Sequence, residues 1–395
     1  MTAAPPPAPP PLAELAARVS ERIARRRVEL VDLLYDLVRV ESPSHEPTTQ
    51  APVFDRIERA LAPSGLDVRR LAGRTSGGQL LARSPRRPRS GYQLLLGHVD
   101  TVWPVGTLAR MPLREEGGRL HGPGVFDMKG GVAIAVGALL ALADLERETG
   151  VAPSLTPVLF LNSDEELGSP DSARRIHRLA RRAARAFVLE PSFGPEGHAK
   201  TERKGVARYG LRFLGRSAHA GLHPEHGASA IRELGRAIER LSLLSDPARG
   251  TTVNVGVVSG GTRGNVVPAE AFAEVDVRFM TEAAGAEIER AIRRLEPTVP
   301  GVRIEVKGEV ERLPLERTAR NRALFARAEE CAAALGQTLG QASVGGGSDG
   351  SLASLHTATL DGLGAVGGGA HAEDEHLLLD RLSGRAALVA LLLLS

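Results

Sequence analysis

Five short segments of this chain present histidine, aspartate or glutamate, most of them beside glycine. They are GHVDT at 97–101, GPGVFDMKGG at 122–131, NSDEELGS at 162–169, LEPS at 189–192 and GGGAH at 367–371. Together they offer His98, Asp100, Asp127, Glu165, Glu166, Glu190 and His371. Imidazole nitrogen and carboxylate oxygen are ligands that zinc takes, and a catalytic zinc keeps one position open for water. Two Zn2+ ions would bring four positive charges. Asp127, Glu166 and Glu190 would supply three negative ones and a bridging hydroxide the fourth, the balance a buried site needs. One carboxylate shared between the ions would hold them roughly 3.5–4 Å apart, the usual two-metal spacing. Co2+ and Mn2+ suit nitrogen and oxygen ligands of this kind as well.

Spacing adds roles. His98 and Asp100 are two apart at a strand end and share a face, so Asp100 can accept the second ring N–H of His98 and fix its tautomer. Glu165 and Glu166 are adjacent and point differently, so one can take a metal while its neighbour faces a metal-bound water as general base. Asp164 is left to cap the turn. Taken singly, a His-x-Asp pair or a Glu-Glu pair is more often structural or solvated. Five such segments in order, in strand-end or Gly-rich loops, point to a two-metal centre. His121, His177, His198, His223, His226, His356 and His376 lack this context and read as surface or structural.

The elements that must hold these loops are legible as apolar runs. Residues 13–40 have helical period. Apolar runs follow at 66–71, 79–83 and 92–97, and a long helix opens after the Gly-rich loop at 122–131. TPVLFLN at 156–162 is continuously apolar and reads as a buried strand, as does 185–190. Alternating helices and buried strands imply an α/β sheet covered on both faces. Residues 200–309 differ, with strand 206–214, helix 227–244, strands 252–259 and 269–279, helix 282–295 and strand 302–308. That β-α-β-β-α-β order is the ferredoxin-like split unit. The expected organisation is a Pro-rich tail over 1–12, a catalytic α/β domain from 13–199 and 310–395, and an inserted α+β domain over 200–309. A closing helix, buried along much of its length, is expected over 376–394.

Composition excludes several classes. With 42% hydrophobic and 25% charged residues, the chain is that of a globular protein long enough for more than one core. The net charge of +3 comes from 50 basic against 47 acidic residues, only four of them lysine, with no basic stripe to meet a nucleic acid. The single cysteine, Cys331, permits no intrachain disulfide. No segment reads as a secretory signal or a membrane span, so a cytoplasmic location is expected.

In combination these motifs resemble the zinc-dependent glutamate carboxypeptidase, acetylornithine deacetylase and succinyl-diaminopimelate desuccinylase family, from about residue 25 to 390. The resemblance implies a mixed-sheet di-zinc peptidase domain with an inserted ferredoxin-like dimerisation or lid domain, two Zn2+ per subunit and a homodimer. His98 and Glu190 would hold one zinc, Glu166 and His371 the other, and Asp127 would bridge them. Glu165 would be the base and Asp100 would orient His98. The Asp127–Met128 peptide is expected to be cis. GRSAHAG at 215–221 resembles the segment whose histidine, here His219, reaches the partner subunit's active site and polarises the scissile carbonyl. Asn265 and Arg278 resemble substrate-carboxylate contacts. Arg312 matches a further carboxylate-binding arginine more loosely, since Arg-Leu-Pro stands where Arg-Pro-Pro is usual. GGGSDGS at 345–351, with Gly346, resembles a loop lining the substrate pocket.

The implied activity is hydrolysis of an amide bond in a small acyl or peptidyl amino acid with a free carboxylate. The nearest alternative is an N-acyl-amino-acid deacylase of the acetylornithine or succinyl-diaminopimelate type. Aminopeptidases of the family generally carry Asp where this chain has Glu190. A family member that had lost catalysis would usually lack a ligand or the base, and all are present here.

Overall fold

The computed structural model describes residues 10–85 and 91–395. The expected Pro-rich tail falls almost wholly on residues outside these. Two compact units are formed, one from residues up to 201 with 317–343 and 348–395, the other from 202–316 with 344–347.

The first unit is built on a six-stranded sheet in the order Asp67–Leu71, Gln79–Arg83, Thr156–Asn162, Tyr92–His98, Ala183–Val188 and Ala358–Leu360. The last four strands run parallel, and Gln79–Arg83 is antiparallel to both its neighbours, so the sheet is mixed. Side chains alternate across it as the pleat requires. Leu95, Leu159, Leu161 and Phe187 join a core with helices Leu12–Arg25, Gly130–Thr149 and Leu379–Leu394. Leu94, Leu96, Val158, Phe160, Ala186 and Val188 join a second core with Ile176, Ala180 and Ala353 on the opposite face. Both faces are covered, which is why these strands read as unbroken apolar runs.

Helix Gly130–Thr149 is apolar all round as far as Leu142 and carries its charged residues in the last two turns. With its preceding turn it is long and apolar enough to cross a membrane, and it is instead buried within this unit.

Two details depart from expectation. The helical run over 13–40 breaks into Leu12–Arg25 and Arg27–Val38, because Arg26 leaves helical geometry while its guanidinium pairs with Asp144 and Glu29. The closing helix begins at Leu379, since His376–Leu378 is drawn into a strand against Arg119–His121.

The second unit is a four-stranded antiparallel sheet in the order Thr252–Gly260, Glu270–Phe279, Gly205–Leu214 and Arg303–Arg312. Helices Ala230–Ser242 and Glu282–Arg293 share its core, with Ser229 and Thr281 capping them through their hydroxyls. Chain order is β-α-β-β-α-β, the ferredoxin-like unit. Strand Arg303–Arg312 continues past the expected end at 308 and so carries Arg312.

Candidate metal centre

The first unit brings five of the candidate residues together at the carboxyl ends of adjacent parallel strands. His98 ends its strand level with Asn162, and Leu96 is level with Val188, two residues before Glu190. Glu165 and Glu166 follow Asn162 in a tight turn. Asp127 lies in the turn Val125–Lys129, just before helix Gly130–Thr149, and its peptide bond to Met128 is cis. Gly131 is required for close approach, because a Cβ there would lie 1.9 Å from the carbonyl oxygen of Leu189.

Distances test whether these residues fit a metal pair. His98 Nε2 lies 3.4 Å from Asp127 Oδ1 and 3.5 Å from Glu190 Oε1. His371 Nε2 lies 3.5 Å from Asp127 Oδ2 and 3.3 Å from Glu166 Oε2. Ligands at zinc distances of 2.0–2.1 Å in a tetrahedron stand about 3.3–3.4 Å from one another. The two oxygens of Asp127 thus face different histidines at ligand–ligand spacing. His98 Nε2 and Asp127 Oδ1 are buried without a hydrogen bond among the described residues, which is costly unless something else satisfies them. The donor set fits two divalent cations.

Charge gives the same answer. Burial pushes the Asp127 carboxyl up, but the His371 and His98 imidazoles beside it outweigh this and hold it well below the carboxylate range. Burial resists a charged His98, yet Asp100, Asp127 and Glu190 raise it well above its ordinary value. Asp127 and Glu166 push His371 up to about 10. Burial raises Glu166, against the pull of His371. Clustered carboxylates here attract positive charge.

Asp100 is fully buried and does more than expected. The His98 Nδ1 contact at 3.0 Å is to the main-chain carbonyl of Asp100, with the carboxylate at 3.4 Å. That carboxylate accepts the Ser44 hydroxyl at 2.7 Å and the backbone N–H groups of Glu165 and Glu166 at 3.3 and 3.2 Å. It therefore sets the Glu-Glu turn against His98. A Glu165 oxygen lies within 4.8 Å of the ligand atoms of His98 and Glu190, while Glu166 contacts His371. Both glutamates come near His98, Glu165 in a group with Glu190 and Glu166 in a group with Asp127. Asp164 accepts backbone N–H groups from Asp171 and Ser172, capping the turn.

The other candidates lie in the second unit. His219 is exposed, and its Nδ1 accepts the backbone N–H groups of Gly221 and Leu222, each at 3.1 Å. With Nδ1 accepting, Nε2 carries the ring N–H and can act as a donor. Asn265 is beside it, its carbonyl accepting from Ala220 N–H at 3.0 Å. Arg278 makes two parallel hydrogen bonds to Asp276, at 2.8 and 2.9 Å. Arg312 shares its end of the sheet, since both arginines pair with Val206. Asn265 and Arg278, read together as carboxylate contacts, stand at opposite ends of the sheet and cannot share a ligand within one copy of this unit. The Gly346 carbonyl accepts from Arg203 at 3.1 Å. His223, Glu225 and His226 form a further group of nearby ligand-type atoms, and all three are exposed.

Sequence reasoning passed over Glu375. It is buried, and its carboxylate accepts from Trp103, Gly124, Phe126 and Asp127. The only local signal was an acidic run, EDE at 373–375, after the GGGAH segment.

Residues 201–296 match the peptidase dimerisation domain of the M20 family. Carboxypeptidase G2 of Pseudomonas sp. is 29% identical over 354 residues, 87% of this chain and 83% of that protein. A succinyl-diaminopimelate desuccinylase of Roseobacter denitrificans is 28% identical over 90% of this chain and 95% of its own length. Among solved structures, the Bacillus subtilis YXEP protein, described as a dinuclear metal binding peptidase of the M20 family, superposes with a TM-score of 0.68 at 17% identity. That match covers 94% of this chain and 98% of the other.

Proposed function

We propose that this chain, an M20-type metallo-hydrolase and a hydrolytic enzyme, cleaves the amide bond of a small acyl or peptidyl amino acid that carries a free carboxylate. The observation that carries the reading is Asp127, whose two oxygens face His98 and His371 at 3.4 and 3.5 Å. His98 with Glu190 and His371 with Glu166 would each hold one metal, zinc by preference, and Asp127 would join them. Bound there, the metals would polarise the carbonyl and lower the pKa of water toward about 7. Glu165 takes the proton of the attacking water on its carboxylate and passes it to the leaving nitrogen. Asp100 holds both Glu165 and His98 in place for this.

His219 presents an Nε2–H that suits a developing carbonyl oxyanion. Since His219 and Arg278 occupy opposite ends of one sheet, we assign them to one substrate only through a dimer. One protomer supplies His219 and Asn265, and its partner supplies Arg278 and Arg312. The dimerisation-domain match supports that assembly, and strand Thr252–Gly260 is an exposed edge suited to it.

Carboxypeptidase and desuccinylase readings share this chemistry and differ in the acyl group. The test is a hydrolysis screen of N-acyl-glutamates, folyl-glutamates, N-succinyl amino acids and dipeptides, with and without a chelator. Chelator-sensitive release of a free amino acid is expected. Turnover that survives complete metal removal would reject the reading.

A further inference from the structure

Glu375 is 1% exposed and lies four residues beyond His371. Its Oε1 accepts the backbone N–H groups of Phe126 and Asp127, each at 3.0 Å. Its Oε2 accepts the Trp103 indole N–H and the Gly124 N–H, each at 2.8 Å. Only a carboxylate accepts on both sides in this way, because an amide has a single oxygen. The main chain of Glu375 is tied as well. Its N–H reaches the Ala372 carbonyl at 3.0 Å, and its carbonyl accepts from Gly122 at 3.3 Å. Gly369 closes the same turn at φ +74°, where a Cβ would lie 2.8 Å from Glu375 N and Cα. Glu375 therefore binds the turn that carries Asp127 to the loop that carries His371. His371 needs such a tie, since its side chain is half exposed and its φ is +60°.

We propose that Glu375 is a positioning residue that holds the Asp127 carboxylate and the His371 imidazole at the separation a metal pair requires. The proposal rests on the reading that these two residues are metal ligands. Groups that brace a metal ligand from behind typically change metal affinity by about 10- to 100-fold when removed. The clamp also reports on itself, because Trp103 is the only tryptophan in the chain.

The experiment uses full-length wild type, Glu375→Gln and Glu375→Asp, each stripped of metal. Zinc affinity is measured by competition with a chromogenic chelator, while Trp103 emission and the melting of the metal-free protein are recorded. Glu375→Gln keeps the size but loses one acceptor oxygen. It should bind zinc about 10- to 100-fold more weakly, with shifted emission and a loss of metal-free stability smaller than the loss of zinc binding. Glu375→Asp keeps both oxygens one methylene short and should fall between. If Glu375→Gln does not fold, Glu375→Asp decides by the same criterion. Unchanged zinc affinity overturns the proposal, and so does a loss of affinity matched by an equal loss of metal-free stability in both variants. A wild type that binds no zinc would instead defeat the ligand reading and leave Glu375 bracing something else.

Discussion

His219 and Arg278 stand at opposite ends of the same four-stranded sheet. Arg278 pairs with Val206, whereas Leu214 pairs with Glu270 and His219 lies beyond that end, bridged to Val266. The eight steps from Val206 to Leu214 span roughly 26 Å at strand rise, more than a small amino-acid substrate can bridge. Two chains must therefore contribute if both residues serve one substrate. Mixing an inactive His219→Ala chain with an inactive Glu165→Ala chain should restore roughly a quarter of wild-type activity after full subunit exchange, from one working site in half of the dimers. No recovery after confirmed exchange would remove His219 from a partner's site.

Glu165→Ala removes the proposed base without removing any of the five proposed metal ligands. Turnover should fall about 10²–10⁴-fold, while metal content stays at the wild-type level. A variant that keeps near wild-type turnover would show that another group moves the proton.

Arg278 is oriented by Asp276 through two parallel hydrogen bonds, a planar geometry that lysine cannot copy. Loss of one hydrogen bond to a charged group costs about 1.5–3 kcal/mol, so Arg278→Lys should lower kcat/KM by roughly 10- to 150-fold. Comparing an N-acyl-glutamate with its α-carboxamide checks the reason. Wild type should strongly prefer the acid, and the variant should lose much of that preference. Equal cleavage of both by wild type would refute carboxylate reading and favour an aminopeptidase-like activity.

Gly131→Ala tests how the Asp127 turn is seated. The added methyl would meet the Leu189 carbonyl oxygen at 1.9 Å, and either the helix start or the strand end must shift. Overpacking of this kind costs about 1–3 kcal/mol, measurable as a lower urea midpoint. An unchanged midpoint would mean the close approach is easily relaxed.

The candidate ligands were legible because each of their segments lies at a strand end or in a Gly-rich turn, and because zinc ligands come from few residue types. The covering of both sheet faces was legible from unbroken apolar runs, because successive residues such as Leu94 and Leu95 point to opposite faces. Other features depended on distant partners. Glu375 resembles its neighbours Glu373 and Asp374 until the chain brings Trp103 and the 124–127 turn to it from about 250 residues away. The break at Arg26 reflects its tertiary pairing with Asp144. The separation of Asn265 from Arg278 follows from strand register, since a strand carries the chain away from its preceding turn.

Metal content of the purified wild-type protein, measured after zinc-replete preparation and removal of loosely bound ions, bears most directly on the two-metal account. Two equivalents per chain are predicted, because Asp127 offers one oxygen toward each histidine. One equivalent, or none, would contradict it.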